Sequence, residues 1–204
     1  MLIFISKERI ILTFILKEKT EKRWDYSRLN NRRNEVLDLS FKTRNDHYLM
    51  EMDCIDHLFE CEGLQTYEKI ALFCEEHNIR RVVDIGCAYA HQSEVFAQAN
   101  IDYLGVNNSN YKFWNRDIFA YEVGTYPCQL PIREGDLGIS VLCLTWNCYL
   151  KEGRKTLIEQ VEGLSKDFEH CILYMQPDHL SVMAKYFKKI EKLDERNLFY
   201  FSNK

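Results

Sequence analysis

The stretch Val82-Val83-Asp84-Ile85-Gly86-Cys87-Ala88-Tyr89-Ala90 decides how this chain of 204 residues is read. Its opening residues form a short β-branched run, as a fully buried strand requires. Gly86 breaks that run, and small residues follow before a helical pattern begins near His91. A strand that passes through a small-residue loop into a helix lets a ligand approach the backbone, and the helix start offers unpaired N–H groups. A dinucleotide fingerprint, G-x-G-x-x-G, would place its glycines at Gly86, Ala88 and His91. A histidine at the third position obstructs close helix–strand packing, so a nicotinamide dinucleotide is disfavoured.

Outward from this stretch, strands and helices alternate. The segments 81–85, 102–106, 119–123, 139–144 and 170–175 read as strands. Helical patterns occupy 91–98, 153–164 and 178–186, and 188–193 with 197–202 reads as a closing hairpin around Asp194-Glu195-Arg196. This alternation implies an α/β fold with a mostly parallel sheet and an antiparallel pair at its end. Upstream, Met50, Cys54, Leu58 and Cys61 recur at helical spacing and Gly63 suits the helix end. A second helix is expected over 67–78. Residues 17–45 are polar and rich in Asn and Arg, and are expected to wrap the surface or to be partly mobile.

Composition bounds the function class. The hydrophobic fraction is 46% and the charged fraction 28%, ordinary for a globular protein and incompatible with a disordered, collagen-like or coiled-coil chain. Net charge is −4, but unevenly spread: residues 1–45 carry eleven Lys and Arg against six Asp and Glu, and residues 46–204 sixteen against twenty-five. The eight cysteines form no C-x-x-C pair and mostly sit in apolar runs, so they read as reduced thiols of a cytosolic protein, with no zinc site. Residues 1–16 are apolar but interrupted by Lys7, Glu8 and Arg9, too short and too charged to span a bilayer, and unlike a signal peptide. An edge strand or a docking helix is expected there, with an interfacial helix as the other reading.

The acidic residue Asp84 followed by Gly86, Ala88 and Ala90 resembles motif I of the class I S-adenosylmethionine-dependent methyltransferases, with alanines at the second and third glycine positions. An alanine at the second position is costly only if its φ is positive. Two further features resemble that family. The second strand ends in Asn107, where the family carries an acid for the ribose hydroxyls, and Leu130-Pro131-Ile132 precedes an acidic turn and a buried strand. The resemblance covers residues 65–204. It implies a Rossmann-like sheet over 61–204, an accessory extension over 1–60, and S-adenosylmethionine as cofactor. It also implies cofactor contacts from Asp84, Gly86, Cys87, Ala88, Asn107, Asn108, Thr125, Tyr126 and Leu144, with the adenine near Thr125 and Tyr126.

Each of these residues also has a purely structural reading. Asp84 could cap the next helix, Gly86 and Asn107-Asn108 could be turn residues, Cys87 could fill the loop, and His91 could sit on the surface. Methyl transfer needs positioning and desolvation rather than a fixed acid or base, so no catalytic residue is legible. Thr145-Trp146-Asn147-Cys148-Tyr149 lacks the prolines of N-P-P-Y, which disfavours an adenine or glutamine amino group as acceptor. Trp146 and Tyr149 are candidates for the substrate pocket or for the core. Trp24, Tyr26, Arg32 and Arg33 interleave aromatic and basic groups in a way that suits nucleic acid, but the acidic body does not offer a broad surface for it. The sequence therefore points to a small-molecule or protein acceptor and to no membrane. A catalytically inactive binding or regulatory protein of the same fold stands as the alternative.

Overall fold

The computed structural model describes residues 24–60, 63–108, 120–141 and 153–204, without the side chains of 120–122 and 153–155. The expectation for residues 1–16 lies outside the described residues. The described residues begin with three helices, α1 (Ser27–Thr43), α2 (Asp46–Glu60) and α3 (Gly63–Glu76). Then come β1 (Arg81–Ile85), α4 (Ser93–Gln98), β2 (Asp102–Asn107), β3 (Ala120–Val123) and β4 (Leu137–Ser140). After α5 (Gly153–Asp167) and β5 (His170–Tyr174), a 3-10 turn at Pro177–His179 leads into α6 (Leu180–Met183), β6 (Lys189–Lys192) and β7 (Leu198–Ser202).

The seven strands form one sheet in the order β3-β2-β1-β4-β5-β7-β6. The first five strands are mutually parallel, with Val83 opposite Leu104 on one side and Gly138 on the other. β7 inserts antiparallel between β5 and β6. The expected hairpin is therefore present, and the fold is α/β with a Rossmann-like sheet.

Side chains alternate across the strands, and each face has its own core. Val82, Tyr103, Leu137, Ile139 and Ile172 join Leu29, Ile55, Ile70 and Phe96 of the first four helices. Val83, Ile85, Leu104, Cys171 and Leu173 join Leu157, Val161, Leu164 and Met183 of α5 and α6 on the other face. With both faces covered, β1 is buried at all five positions. Gly138 faces the α5 side under the ring of Phe168, where a Cβ would come within 2.8 Å of Phe168 Cδ2.

Three expectations are corrected here. Most of the polar segment 17–45 is a 17-residue helix rather than a surface wrap. Leu29, Val36 and Ser40 give it a narrow buried stripe, and Arg44 caps it in the left-handed region through a bond to the carbonyl of Ser40. Its arginines are drawn into ion pairs, with Arg33 bonded to Asp56 and Arg28 3.2 Å from Glu94. Secondly, Gly63, which suits a helix end, opens α3 instead, and within α2 the fully buried positions are Glu51 and Ile55, while Cys54 and Leu58 pack partly buried against the core and Met50 is 48% exposed. Thirdly, the expected helix over 178–186 shrinks to the 3-10 turn and one turn of α6. No helix among the described residues is long and apolar enough to cross a membrane.

At the N-terminal end of the strands, Arg81 Nη1 donates to Asp136 Oδ2 at 2.9 Å and to the carbonyl of Pro131 at 3.0 Å. Asp136 also accepts the N–H of Arg133 at 2.8 Å. This buried pair pins the Leu-Pro-Ile loop beneath β1 and β4. Asp136→Ala strands the guanidinium and is expected to cost about 3 kcal/mol in urea unfolding, with an unchanged m-value.

Candidate functional site

The strand order reverses between β1 and β4. The chain leaves β1 for α4 on one face, while α5 packs on the other, so a crevice opens at the C-terminal ends of these two strands. The loop after β1 lines it. Gly86, Ala88 and Ala90 have φ of 81°, 49° and 50°. Both alanines therefore fall in the costly left-handed conformation, at roughly 1–2 kcal/mol each.

Several bonds hold the loop. The N–H groups of Gly86 and Cys87 both donate to the carbonyl of Val106, at 2.7 and 3.1 Å, and tie the loop to β2. The N–H of Ala90 donates to the carbonyl of Cys87 at 2.7 Å, and Gln92 Nε2 reaches the same carbonyl at 3.1 Å. From β4, Ser140 Oγ donates to the carbonyl of Ile85 at 2.8 Å. Gly105 permits the approach, because a Cβ there would stand 2.8 Å from Cys87 Sγ.

Asp84 sits behind this loop. It is 1% exposed, and its Oδ2 accepts from Tyr103 Oη at 2.6 Å and Gln92 Nε2 at 2.7 Å. Burial pushes its carboxyl up to about 6, and the bonds from Tyr103 and Gln92 offset only part of that. Burial, reinforced by Asp84, pushes the Tyr103 phenol well above its usual range, so it remains a donor. The Asp84 carboxylate is turned inward, where it braces the loop. Cys87 is 2% exposed, with its Sγ against Gly105.

Asn107 ends β2 beside the loop. Its carbonyl accepts the N–H of Gly124 at 2.8 Å, while its side-chain Nδ2 is buried with no hydrogen-bond partner among the described residues. Such an orphan donor costs about 1–3 kcal/mol until something accepts from it. Asn108 and Thr125 are exposed beside it. Tyr126 is 5% exposed, donates to Asp167 Oδ2 at 2.8 Å and covers Gly163, so it wedges the loop against α5. Leu144, Trp146 and Tyr149 lie outside the described residues.

The first helices reach the same loop. Arg32 grips Glu51 in a bidentate pair, Nε to Oε1 at 2.8 Å and Nη2 to Oε2 at 2.9 Å. Glu51 Oε1 stands 3.3 Å from His91 Nε2, and Tyr89 Oη donates to the carbonyl of His47 at 3.1 Å. Burial would push the Glu51 carboxyl up, but His91 and Arg32 outweigh it and hold it below the usual carboxylate range. Among the described residues, no group of three His, Cys, Asp or Glu could hold a metal ion.

The closing comparison is with known structures. A TehB-like S-adenosylmethionine-dependent methyltransferase from Corynebacterium glutamicum superposes with a TM-score of 0.53 at 13% identity, over 73% of this chain and 97% of that one. The S-adenosylmethionine-dependent methyltransferase SibL in its apo form gives 0.55 at 8% identity, over 76% of this chain and 57% of that one. The chain has the class I methyltransferase fold. Monomeric WbdD gives 0.53 at 20% identity, and this chain covers only 40% of its length. No protein-family model matches the sequence, and no curated protein matches it significantly.

Within this fold, sequence reading located the loop and Asn107 but missed Gln92, Tyr103 and Glu51. A glycine inside a strand pattern, at Gly105, was the one available signal of a close approach. Glycine at position 88 removes the strain at a half-buried site, so Ala88→Gly is expected to stabilise by about 1 kcal/mol, raising Tm by roughly 2–4 °C. Ala90→Gly gives up a buried methyl worth about 0.8 kcal/mol and is expected to leave Tm nearly unchanged.

Asp84 supplies a pH test. Its carboxyl titrates near 6 when folded against 3.8 ordinarily, so the folded state binds the proton more tightly. The associated stability is present below pH 3.8 and lost as pH rises through about 6. Asp84→Asn keeps an acceptor and escapes that loss. Relative to the parent, the variant is expected to gain up to about 3 kcal/mol between acid and neutral pH in urea unfolding.

Proposed function

We propose that this protein is an S-adenosylmethionine-dependent methyltransferase that acts on a small-molecule or protein acceptor. The observation carrying this reading is the left-handed loop at Gly86, Ala88 and Ala90, set at the strand-order reversal beside the orphan amide of Asn107. That reversal is where ligands of open α/β sheets bind. The fold neighbours named as methyltransferases support it.

The residues present fit the cofactor. The backbone of Gly86–Ala88 offers a surface without bulky side chains, held rigid from behind by Asp84, Gln92 and Tyr103. Asn107 would meet the ribose, accepting through its carbonyl oxygen and donating through Nδ2, without the charge of a carboxylate. Asn108 and Thr125 flank this position on the exposed side. When bound, the cofactor would supply an electrophilic methyl on a sulfonium to the acceptor's lone pair. The protein's own part is to orient the two reactants in line and exclude water.

A binding or regulatory protein of the same fold is the second reading, favoured by the strained alanines and by the uncharged Asn107. Titration calorimetry with S-adenosylmethionine and S-adenosylhomocysteine tests the first step. The expected outcome is binding of both, abolished by Gly86→Val because φ at 86 is positive. No binding at millimolar ligand overturns the proposal. Binding without methyl transfer to any acceptor in a small-molecule and protein panel favours the second reading.

A further inference from the structure

Ala88 and Ala90 adopt a conformation that glycine reaches unaided and alanine resists. Something outside the loop has to hold them there. The residues that alternate with them, Tyr89 and His91, are the two that α2 touches. Tyr89 is buried and donates to the carbonyl of His47 in the first turn of α2. His91 Nε2 stands 3.3 Å from Glu51 Oε1, one turn further along, close enough for charge attraction but without hydrogen-bond geometry, and its ring lies parallel to that of Tyr89 at 6.0 Å. Glu51 is itself fixed by the two-pronged bond from Arg32 of α1, and Arg32 also reaches Glu35 at 2.9 Å. Strained and clasped residues thus alternate along 88–91.

We infer that α2 is an external clamp on this loop: the His47 carbonyl and the Arg32–Glu51 pair act as positioning groups that hold Ala88 and Ala90 left-handed, in place of the glycines. The inference rests on the reading of this loop as the cofactor-binding loop. It gives the first helices a role in ligand affinity through residues that need not touch the ligand.

The test uses the full chain and five proteins: the parent, Tyr89→Phe, Glu51→Gln, Ala88→Gly, and Tyr89→Phe combined with Ala88→Gly. Two quantities are measured, amide hydrogen exchange over residues 86–92 and affinity for S-adenosylhomocysteine. Tyr89→Phe and Glu51→Gln are each expected to speed exchange, and weaken affinity, about fivefold or more. Adding Ala88→Gly to Tyr89→Phe is expected to return both to within about twofold of the parent, a non-additivity that simple loss of packing would not show. Parent-like exchange in Tyr89→Phe, or a defect that Ala88→Gly leaves uncorrected, overturns the clamp. Should Glu51→Gln fail to fold, Tyr89→Phe, which removes one hydroxyl, decides alone. Should the parent bind no S-adenosylhomocysteine, the proposed function fails while the exchange data still decide the clamp.

Discussion

The buried carboxylate of Asp84 is the point on which this architecture turns. One oxygen accepts from Tyr103 on the neighbouring strand and from Gln92 beyond the loop. The same Gln92 amide closes onto the carbonyl of Cys87. A strand end, its neighbour and the far side of a six-residue turn are thereby locked by one buried side chain. Removing a charge from solvent is expensive, and the cost is visible in the raised titration of the group. That expense is tolerated where geometry must be unique, because a satisfied polar network admits few alternative packings.

The first helices follow the same logic at larger scale. The excess of basic residues before position 46 suggested an anionic partner or a solvated surface. Among the described residues, three of its arginines pair with carboxylates of the same chain: Arg32 with Glu51 and Arg33 with Asp56 on α2, and Arg28 with Glu94 on α4. Tyr26 adds a bond to Glu68 of α3, and Asp25 exchanges main-chain bonds with the side chain of Gln98 at the end of α4. Leu29 and Ile55 enter the same core as the strands.

Legibility in the sequence tracked physical range. β1, β2, β5 and the hairpin were readable because short apolar and aromatic runs stand between helical patterns and turn residues. The loop was readable because Gly86 and its small neighbours are local signals. The inward turn of Asp84 was not, since it depends on Tyr103, 19 positions away. The packing of Tyr126 was not legible for the same reason, since it depends on Gly163 and Asp167 opposite it. The inward place of Glu51 on α2 was not legible either, because a paired carboxylate gives no hydrophobic signal.

The insertion of β7 between β5 and β6 bears on how the chain reaches this fold. Every parallel neighbour of β1 and β4 is synthesised by residue 174, yet the outer edge of β5 can be closed only by residues 198–202. Until those residues leave the ribosome, Cys171, Ile172 and Leu173 border an open row of backbone donors and acceptors, the kind of edge that recruits other strands. The turn of residues 193–197, where Asp194 accepts the N–H groups of Arg196 and Leu198, brings β7 back along β6 over a short loop. A local hairpin thus forms at low entropic cost and seals the sheet as one unit, which shortens the interval during which a growing chain could pair with another.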